Sequence, residues 1–330
     1  MNACTPALER RFLSAVTVAF FTTFCLAGAA AQSYPSRNIT LIVPFPAGGL
    51  VDAAARLLQP ELEKTLGKPV IIENRAGAAG VVGTAAVAKS EPDGHTLLIV
   101  TSSHTTTPVI NTKVPYDTER DLAPIAIVAR DPLLFVVGKN VAAKTLSEFV
   151  ALAKAEPGKL SYATPGYGSS AHFVTELLGQ RAGIKMQHVP YRGGAPALMA
   201  MVTGDTQFAV LSGQVSLPQI EAGTIRAIAV GGLQRHPALP DVPTVAESGY
   251  PGFEADQWVG MLAPRGTPKE IIDRLNQAIA KAMRDPEVAA RFSAQHMSPA
   301  ATTPEEFQAI IEREVRQWRD VAQAANIKPE

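Results

Sequence analysis

Short continuous apolar runs alternate with segments of helical periodicity along most of this chain. The first run, residues 39–45, is followed by a Pro-Ala-Gly-Gly turn and then by a helical segment at residues 52–66. A continuous apolar run bounded by turn residues is typical of a strand covered on both faces, as in a parallel sheet flanked by helices. The same alternation begins again after Asp131. The pattern therefore predicts two α/β units.

The same criterion predicts the positions of the individual elements. It predicts strands at residues 39–45, 70–73, 96–100, 133–137, 160–163, 186–190, 207–211 and 225–230. It predicts helices at residues 52–66, 146–155, 170–182, 195–203, 217–222, 268–283 and 304–325. A further helix is predicted to follow the Gly-rich stretch at residues 75–83 and to end at about residue 89. The last helix has a start signal, because Thr303 is a good N-cap, Pro304 suits the first helical position and Glu305 suits the first turn.

The two units can be tandem domains or an interleaved pair. Residues 125–129 and 225–230 lie where the chain can cross from one unit to the other and return. No Ser/Gly-rich or charged linker separates the halves, which favours the interleaved arrangement with two hinge strands.

The N-terminus has the pattern of an export signal. Arg10 and Arg11 precede an apolar run at residues 12–28, which ends in a run of alanines up to Ala31. This pattern predicts a signal peptide at residues 1–31, cleaved near Ala31, and a periplasmic location. A retained membrane anchor is the alternative. Both cysteines, Cys4 and Cys25, lie in this segment, so the mature chain can have no cysteine nucleophile or zinc–thiolate site.

The composition excludes several other classes of function. The formal net charge is +0, whereas a nucleic-acid-binding surface needs a basic face. The chain carries no GxGxxG, no GxxxxGK[ST] and no HExxH pattern, so we expect no nucleotide cofactor and no metal. The stretch Gly166-Tyr167-Gly168-Ser169-Ser170 does not fit the GxSxG motif of serine hydrolases. The sequence therefore predicts a binding protein and no enzyme.

Glycine and hydroxyl residues follow the predicted strands at five places, where open α/β sheets bind their ligands. These turns comprise residues 44–52, 101–105, 164–172, 191–194 and 212–214. Glycines let backbone N–H groups approach an anion, and the N-terminus of the next helix favours negative charge. Each turn alone can be an ordinary connection. Asp52 can be a plain helix cap, and His172 can be a cap or a packing residue.

Long motifs in this sequence closely resemble the Bug family, the periplasmic substrate-binding proteins of tripartite tricarboxylate transporters. The motifs are PFPAGGLVD, VIIENRAGAAGVVGTAAVAKSEPDGHTLLI, ATPGYGSSAHF, PYRGGAPAL and LPDVPTVAESGYPGFE, and the resemblance covers residues 34–326. It implies an α/β fold of the type II periplasmic binding protein class, with C-terminal helices packed on lobe one. We expect lobe one to comprise residues 32–128 and 231–330, and lobe two residues 129–230.

The resemblance also implies a function. It implies capture of a small carboxylate (a dicarboxylate, a tricarboxylate or an aromatic acid) by cleft closure, for a two-component membrane permease, by a monomer. The ligand-binding residues that it implies, together with Ser212 from the strand-end argument, are Phe45, Ala47, Gly48, Gly49, Asp52, Ser102, Ser103, Gly168, Ser169, Ser170, His172, Tyr191 and Ser212. We further expect Tyr191 and Trp258 to contribute apolar walls.

Three positions depart from the family pattern. Leu50 and Val51 are more apolar than the residues common there, which favours a less polar ligand. Ser212 stands where the family often has Asp or Asn, so an acid that could bind an ammonium group is expected to be absent. Two other functions remain open on the sequence alone: presentation of a ligand to a membrane sensor kinase, and an exported α/β hydrolase.

Overall fold

The structure, a computed structural model, describes residues 34–328, and the strands in this range form two sheets. The predicted export segment, residues 1–31 with both cysteines, lies outside the described residues. None of the helices between residues 34 and 328 is both long enough and apolar enough to cross a bilayer.

The first sheet has the strand order β11-β4-β10-β3-β1-β2. Its strands are β1 (Ile39–Val43), β2 (Val70–Asn74), β3 (Thr96–Thr101), β4 (Leu122–Pro132), β10 (Asp256–Pro264) and β11 (Ser298–Pro299). Strand β1 is parallel to β2 and β3, whereas β10 is antiparallel to both β3 and β4. The side chains of β1 and β3 are almost entirely buried, as their continuous apolar sequences predict.

The second sheet has the strand order β7-β6-β8-β5-β9. Its strands are β5 (Leu134–Gly138), β6 (Ser161–Thr164), β7 (Gln187–Pro190), β8 (Phe208–Leu211) and β9 (Ile225–Val230). Strand β6 is parallel to β7 and β8, whereas β5 is antiparallel to β8 and β9. Both sheets are therefore mixed. The expectation of parallel sheets holds only for the strands joined through a helix, because β5 and β10 continue directly from a crossing between the sheets.

Helices connect most of these strands. They are α1 (Leu50–Leu66), α2 (Val81–Ala88), α3 (Ser103–Ile110), α4 (Leu146–Ala155), α5 (Ser170–Ala182), α6 (Gly194–Thr203), α7 (Gly213–Glu221), α8 (Lys269–Met283), α9 (Pro286–Ser293) and α10 (Pro304–Ala324). The start signal of the last helix is confirmed, since Thr303 and Glu306 form a capping box and Pro304 occupies the first turn. Helices α3 and α9 were not predicted.

The chain passes between the sheets twice, and three backbone segments meet where it does so. Leu133 follows β4, Gly231 follows β9 and Ala255 precedes β10; their backbones are hydrogen-bonded to one another. A Cβ at Gly231 would collide with the Ala255 carbonyl oxygen, so glycine is required at this close approach. The prediction that the chain returns to the first unit through residues 225–230 is wrong. Residues 225–230 belong to the second sheet, and the unpredicted β10 is the strand that pairs with β4.

The last helix, α10, packs on both sheets. Phe307, Ile311 and Val315 of its first half belong to a core cluster of the first sheet, as expected for a helix on lobe one. Trp318 in its second half packs against Phe173 of α5, with ring centroids 5.7 Å apart. A single helix therefore contributes to both cores.

Candidate functional site

A cavity of about 640 Å³ lies between the two sheets, at the ends of strands from both. It is lined by Phe45, Pro46, Ala47, Gly48, Gly49, Leu50, Val51, Thr101, Ser103, Leu133, Pro165, Ser169, Ser170, Ala171, Gly193, Gly194, Val210, Leu211, Ser212, Val215 and Gln257. The turns after β1, β3, β6, β7 and β8 all contribute. The five Gly- and hydroxyl-rich turns singled out in the sequence therefore surround a single cavity.

Eight of the thirteen predicted ligand-binding residues line this cavity: Phe45, Ala47, Gly48, Gly49, Ser103, Ser169, Ser170 and Ser212. The other five, Asp52, Ser102, Gly168, His172 and Tyr191, do not line it.

Asp52 braces the turn between β1 and α1. It is only 3% exposed, and its carboxylate accepts hydrogen bonds from the Gly48 N–H at 2.9 Å, Arg56 Nε at 2.9 Å and Asn74 Nδ2 at 3.0 Å. The hydrogen bond from Arg56, followed by those from Gly48 and Asn74, lowers the Asp52 pKa to about 2 in spite of burial. Asp52 therefore supports the glycine turn, and its contact with a ligand stays a prediction.

His172 supports the turn before α5 in a similar way. Its Nδ1 accepts the Gly168 N–H at 3.1 Å, and its ring stacks on His188 with centroids 3.9 Å apart. Burial lowers the pKa of His172 to about 3, with a further contribution from His188. The ring faces this stack, which supports the packing interpretation of His172; its contact with a ligand stays a prediction. Ser169, which lines the cavity, caps α5 by accepting the His172 N–H at 3.3 Å.

Two more predicted residues, Gly168 and Ser102, form contacts between the two halves of the wall. Gly168, with φ +70°, packs so closely on Ile110 of α3 that a Cβ would overlap the Ile110 side chain. Ser102 Oγ lies 3.2 Å from Ser170 Oγ. Their roles are to join the wall of the cavity and not to line it.

The two expected aromatic walls also lie elsewhere. Tyr191 packs against the core of the second sheet. Trp258 is fully buried, with its ring on Phe307 and its Nε1 donating to Glu314 at 3.0 Å. The neighbouring residue Gln257 lines the cavity instead, because adjacent residues of a strand point to opposite faces.

Several functional residues were not singled out by sequence reasoning. Leu50 and Val51 were noted only as departures, yet both line the cavity. Asn74 ends β2 beside the end of β1, and its Nδ2 also donates to the Phe45 carbonyl oxygen at 3.1 Å. A polar residue at the end of a strand next to a glycine turn was the signal that could have identified it.

Helix N-termini supply the positive potential of the site. Within the described part of the chain, the residues that line the cavity include no Lys, Arg, His, Asp or Glu. Five helices, α1, α3, α5, α6 and α7, begin at the cavity wall. The N-cap residues of α1, α3, α6 and α7 make no side-chain capping bond. This arrangement is suited to an anion, because first-turn N–H groups and helix dipoles attract negative charge.

The same lining offers little for acid–base chemistry. Ser103 Oγ pairs with Thr101 Oγ1 at 2.8 Å, and no general base is among the cavity-lining residues between positions 34 and 328. His104, adjacent to Ser103, is buried beside Tyr116, with ring centroids 6.3 Å apart, and burial lowers its pKa to about 4. In the same range, no group of three His, Cys, Asp or Glu side chains is arranged to hold a metal ion.

A two-sheet fold with an anion-attracting cavity between the sheets defines a solute-binding protein. Comparison with known proteins identifies the family: residues 54–327 match the model of the tripartite tricarboxylate transporter family receptor, TctC. The chain belongs to this family, and the predicted resemblance is confirmed. It is a family of substrate-binding proteins.

Individual relatives cover nearly the whole chain. The protein BugT of Bordetella pertussis is 37% identical over 96% of this chain and 98% of its own length. The R. palustris protein Rpa4515, solved with adipate, is 34% identical with a TM-score of 0.77, over 90% of this chain and 100% of its own. MatC from Rhodopseudomonas palustris, solved with bound malate, is 33% identical with a TM-score of 0.73, and the match covers 87% of this chain and 99% of MatC.

Proposed function

We propose that this protein captures a small carboxylate in the periplasm and presents it to the membrane components of a tripartite tricarboxylate transporter. The observation that carries the proposal is the convergence of five helix N-termini on a cavity whose described lining has no charged side chain. Backbone N–H groups then supply the attraction for the anion. The adipate and malate held by two relatives support the same ligand class.

Binding follows from the placement of the turns in two lobes. Residues 32–128 and 231–330 form one proposed lobe, and residues 129–230 form the other. Phe45, Gly48 and Gly49 contribute from the first, and Ser169 and Ser170 from the second. Only a closed cleft lets both sets contact the same anion, so the ligand shifts the population toward closure. The crossing at Leu133, Gly231 and Ala255 is the proposed hinge.

The proposal includes export and a non-enzymatic role. Cleavage near Ala31 would release a periplasmic monomer, and mass measurement of the exported protein tests the cleavage position. No reaction is assigned, and the partners are a carboxylate and a membrane permease.

A charge placed at one helix N-terminus tests the anion site. Ser170 is the first residue of α5 and lines the cavity. In Ser170→Asp, the new carboxylate favours the helix but repels an anionic ligand, whereas Ser170→Asn has nearly the same shape without the charge. Isothermal titration and thermal shift with adipate, malate, citrate, nicotinate and benzoate would show binding by the native protein and Ser170→Asn. Binding would be lost in Ser170→Asp, with its stability kept.

Two results would contradict the proposal. If no carboxylate raises the melting temperature of the native protein, the ligand class is wrong. If Ser170→Asp binds as tightly as Ser170→Asn, the anion does not bind at this wall.

A further inference from the structure

A buried carboxylate, that of Asp131, lies directly behind one wall of the cavity. Asp131 is near the end of β4 and only 1% exposed. It is paired with Gln257 on the neighbouring strand β10, and Gln257 lines the cavity. Leu133, two residues further on, also lines it. Asp131 is therefore flanked by the wall without being part of it.

Asp131 is bonded to the start of a helix that begins at this wall. Its Oδ1 accepts the N–H of Gly213, the first residue of α7, at 3.0 Å. Ser212 and Val215, on either side of Gly213, line the cavity. Asp131 Oδ2 is buried and has no hydrogen-bond partner among the described residues. Asp131 thus lies close to the end of β8 but behind the wall, and the sequence pattern did not connect it with α7.

Two helices at the cavity have a carboxylate bonded at their start. Asp52 at α1 is neutralised by its ion pair with Arg56, whereas Asp131 Oδ2 at α7 has no hydrogen-bond partner among the described residues. A carboxylate at a helix N-terminus offsets the partial positive charge of that terminus. An anionic group of a ligand at the α7 end would meet the like charge of Asp131 in a region of low dielectric. The cavity wall there is apolar apart from Ser212 and Gln257, and comprises Leu133, Val210, Leu211 and Val215.

We propose that Asp131 determines specificity by reserving the α7 end of the cavity for an uncharged, apolar part of the ligand. The preferred ligand is then a monocarboxylate with an apolar body, held by its single carboxylate at the N-termini of the other helices. The apolar Leu50 and Val51 on the cavity wall fit the same ligand. This inference rests on the proposed carboxylate-binding function and narrows it.

Hexanoate and adipate test the inference, because they have the same number of carbons and differ in the second carboxylate. At about pH 8, where Asp131 is ionised, the native protein is expected to bind hexanoate about tenfold more tightly than adipate. In Asp131→Asn, which can still accept the Gly213 N–H, adipate should gain about tenfold relative to hexanoate. Dissociation constants from isothermal titration give both ratios.

Asp256→Asn is the matched control. Asp256 is a poorly exposed carboxylate on β10, next to Gln257, but it points to the other face of the strand and bonds Arg130 at 3.3 Å. At about pH 8, where Asp131 is ionised with or without the charge of Asp256, this replacement should leave the adipate-to-hexanoate ratio close to the native value. Equal ratios in the native protein and Asp131→Asn would overturn the inference while leaving the proposed function intact. Binding of neither ligand would overturn the inference, and the proposed function would also be overturned if no carboxylate of the wider panel binds.

A pH series on the native protein covers the case in which Asp131→Asn does not fold. Burial, the largest cause, raises the pKa of Asp131 to about 7, and repulsion by Asp256 adds to it. The other groups that face Asp131 are His236, whose pKa is lowered by burial, and Asp256 with its partner Arg130. Both ligands stay ionised above about pH 6. The preference for hexanoate should therefore weaken between about pH 8 and pH 6 as Asp131 takes up a proton; a constant ratio would contradict the inference.

Discussion

Ser102 Oγ and Ser170 Oγ lie 3.2 Å apart and join the turn after β3 of the first sheet to the start of α5 beside the second. Ser102 is buried and Ser170 also lines the cavity. The bond therefore sits at the edge of the cavity and connects the two sides that the proposed closure would bring together.

A double-mutant cycle on these two serines should reveal their coupling. The free energies of unfolding of Ser102→Ala, Ser170→Ala and the double variant are expected to be non-additive by about 1 kcal/mol, the usual net contribution of a hydrogen bond. Urea denaturation measures all four proteins. Additive effects would show that the two hydroxyl groups do not interact in solution.

Gly168 is expected to tolerate a side chain less well than a glycine of similar backbone conformation. Gly168→Ala and Gly183→Ala both place alanine at positive φ, +70° and +65°, which costs about 1 kcal/mol. Only at Gly168 does the new Cβ overlap Ile110, since nothing lies within 4 Å of a Cβ at Gly183. Thermal denaturation should therefore show the larger loss for Gly168→Ala, and Ile110→Ala should recover part of it. Equal losses at the two glycines would contradict this packing.

Asp52 should contribute stability that is lost in acid. Its pKa in the folded protein is about 2, below the ordinary value, so the ionised group stabilises the fold above about pH 4, and this contribution disappears as the pH falls toward about 2. We expect Asp52→Asn to be less stable than the native protein by about 2 kcal/mol at neutral pH, with a smaller difference at about pH 3. Urea denaturation at both values measures it.

Asp320→Asn, exposed on α10, is the control for the acid experiment. It should be close to native at both pH values. A difference between native protein and Asp52→Asn that does not change with pH would show that Asp52 acts by shape alone.

The stacked pair of His172 and His188 should make the protein less stable below the ordinary histidine pKa. Burial lowers the pKa of His172 to about 3 and that of His188 to about 4. Between about pH 4 and pH 6.5, each ring is therefore neutral in the folded protein and protonated in the unfolded chain. The free energy of unfolding consequently decreases as the pH is lowered through this range. His172→Asn, whose Oδ1 can replace Nδ1 as acceptor, should reduce the fall by about 2 kcal/mol at about pH 5.

A half-buried histidine on another part of the fold, His296, provides the comparison. His296→Asn should leave the slope of stability against pH nearly native. An unchanged slope in His172→Asn would mean that the histidine stack is not maintained in solution.

The strand-and-helix pattern could be predicted because the buried strands are continuous apolar runs. The bounds of α4 and α5 agree with the prediction at both ends. Strand β10 was missed although Trp258, Val259 and Met261 are apolar, because it follows a proline-rich loop and no helix separates it from the previous strand. Helix α3 was missed because four of its first five residues are Ser or Thr, which favour turns.

The prediction of the site succeeded for position and was less successful for roles. Glycine turns after strands identify an anion cavity, since the backbone supplies the binding groups. The sequence could not show whether Asp52 and His172 point into the cavity or into their own turn, because both orientations satisfy the same local pattern. It also could not connect Asp131 with Gly213, because that contact depends on how β4 and α7 meet in three dimensions.

The sharing of helix α10 by both cores has a consequence for the order of folding. Phe307 completes the packing around Trp258, and Trp318 completes the packing around Phe173. The core clusters that contain Phe307 and Trp318 are therefore completed only when the last helix of the chain has docked. These final contacts join residues that are far apart in sequence, a feature that slows folding.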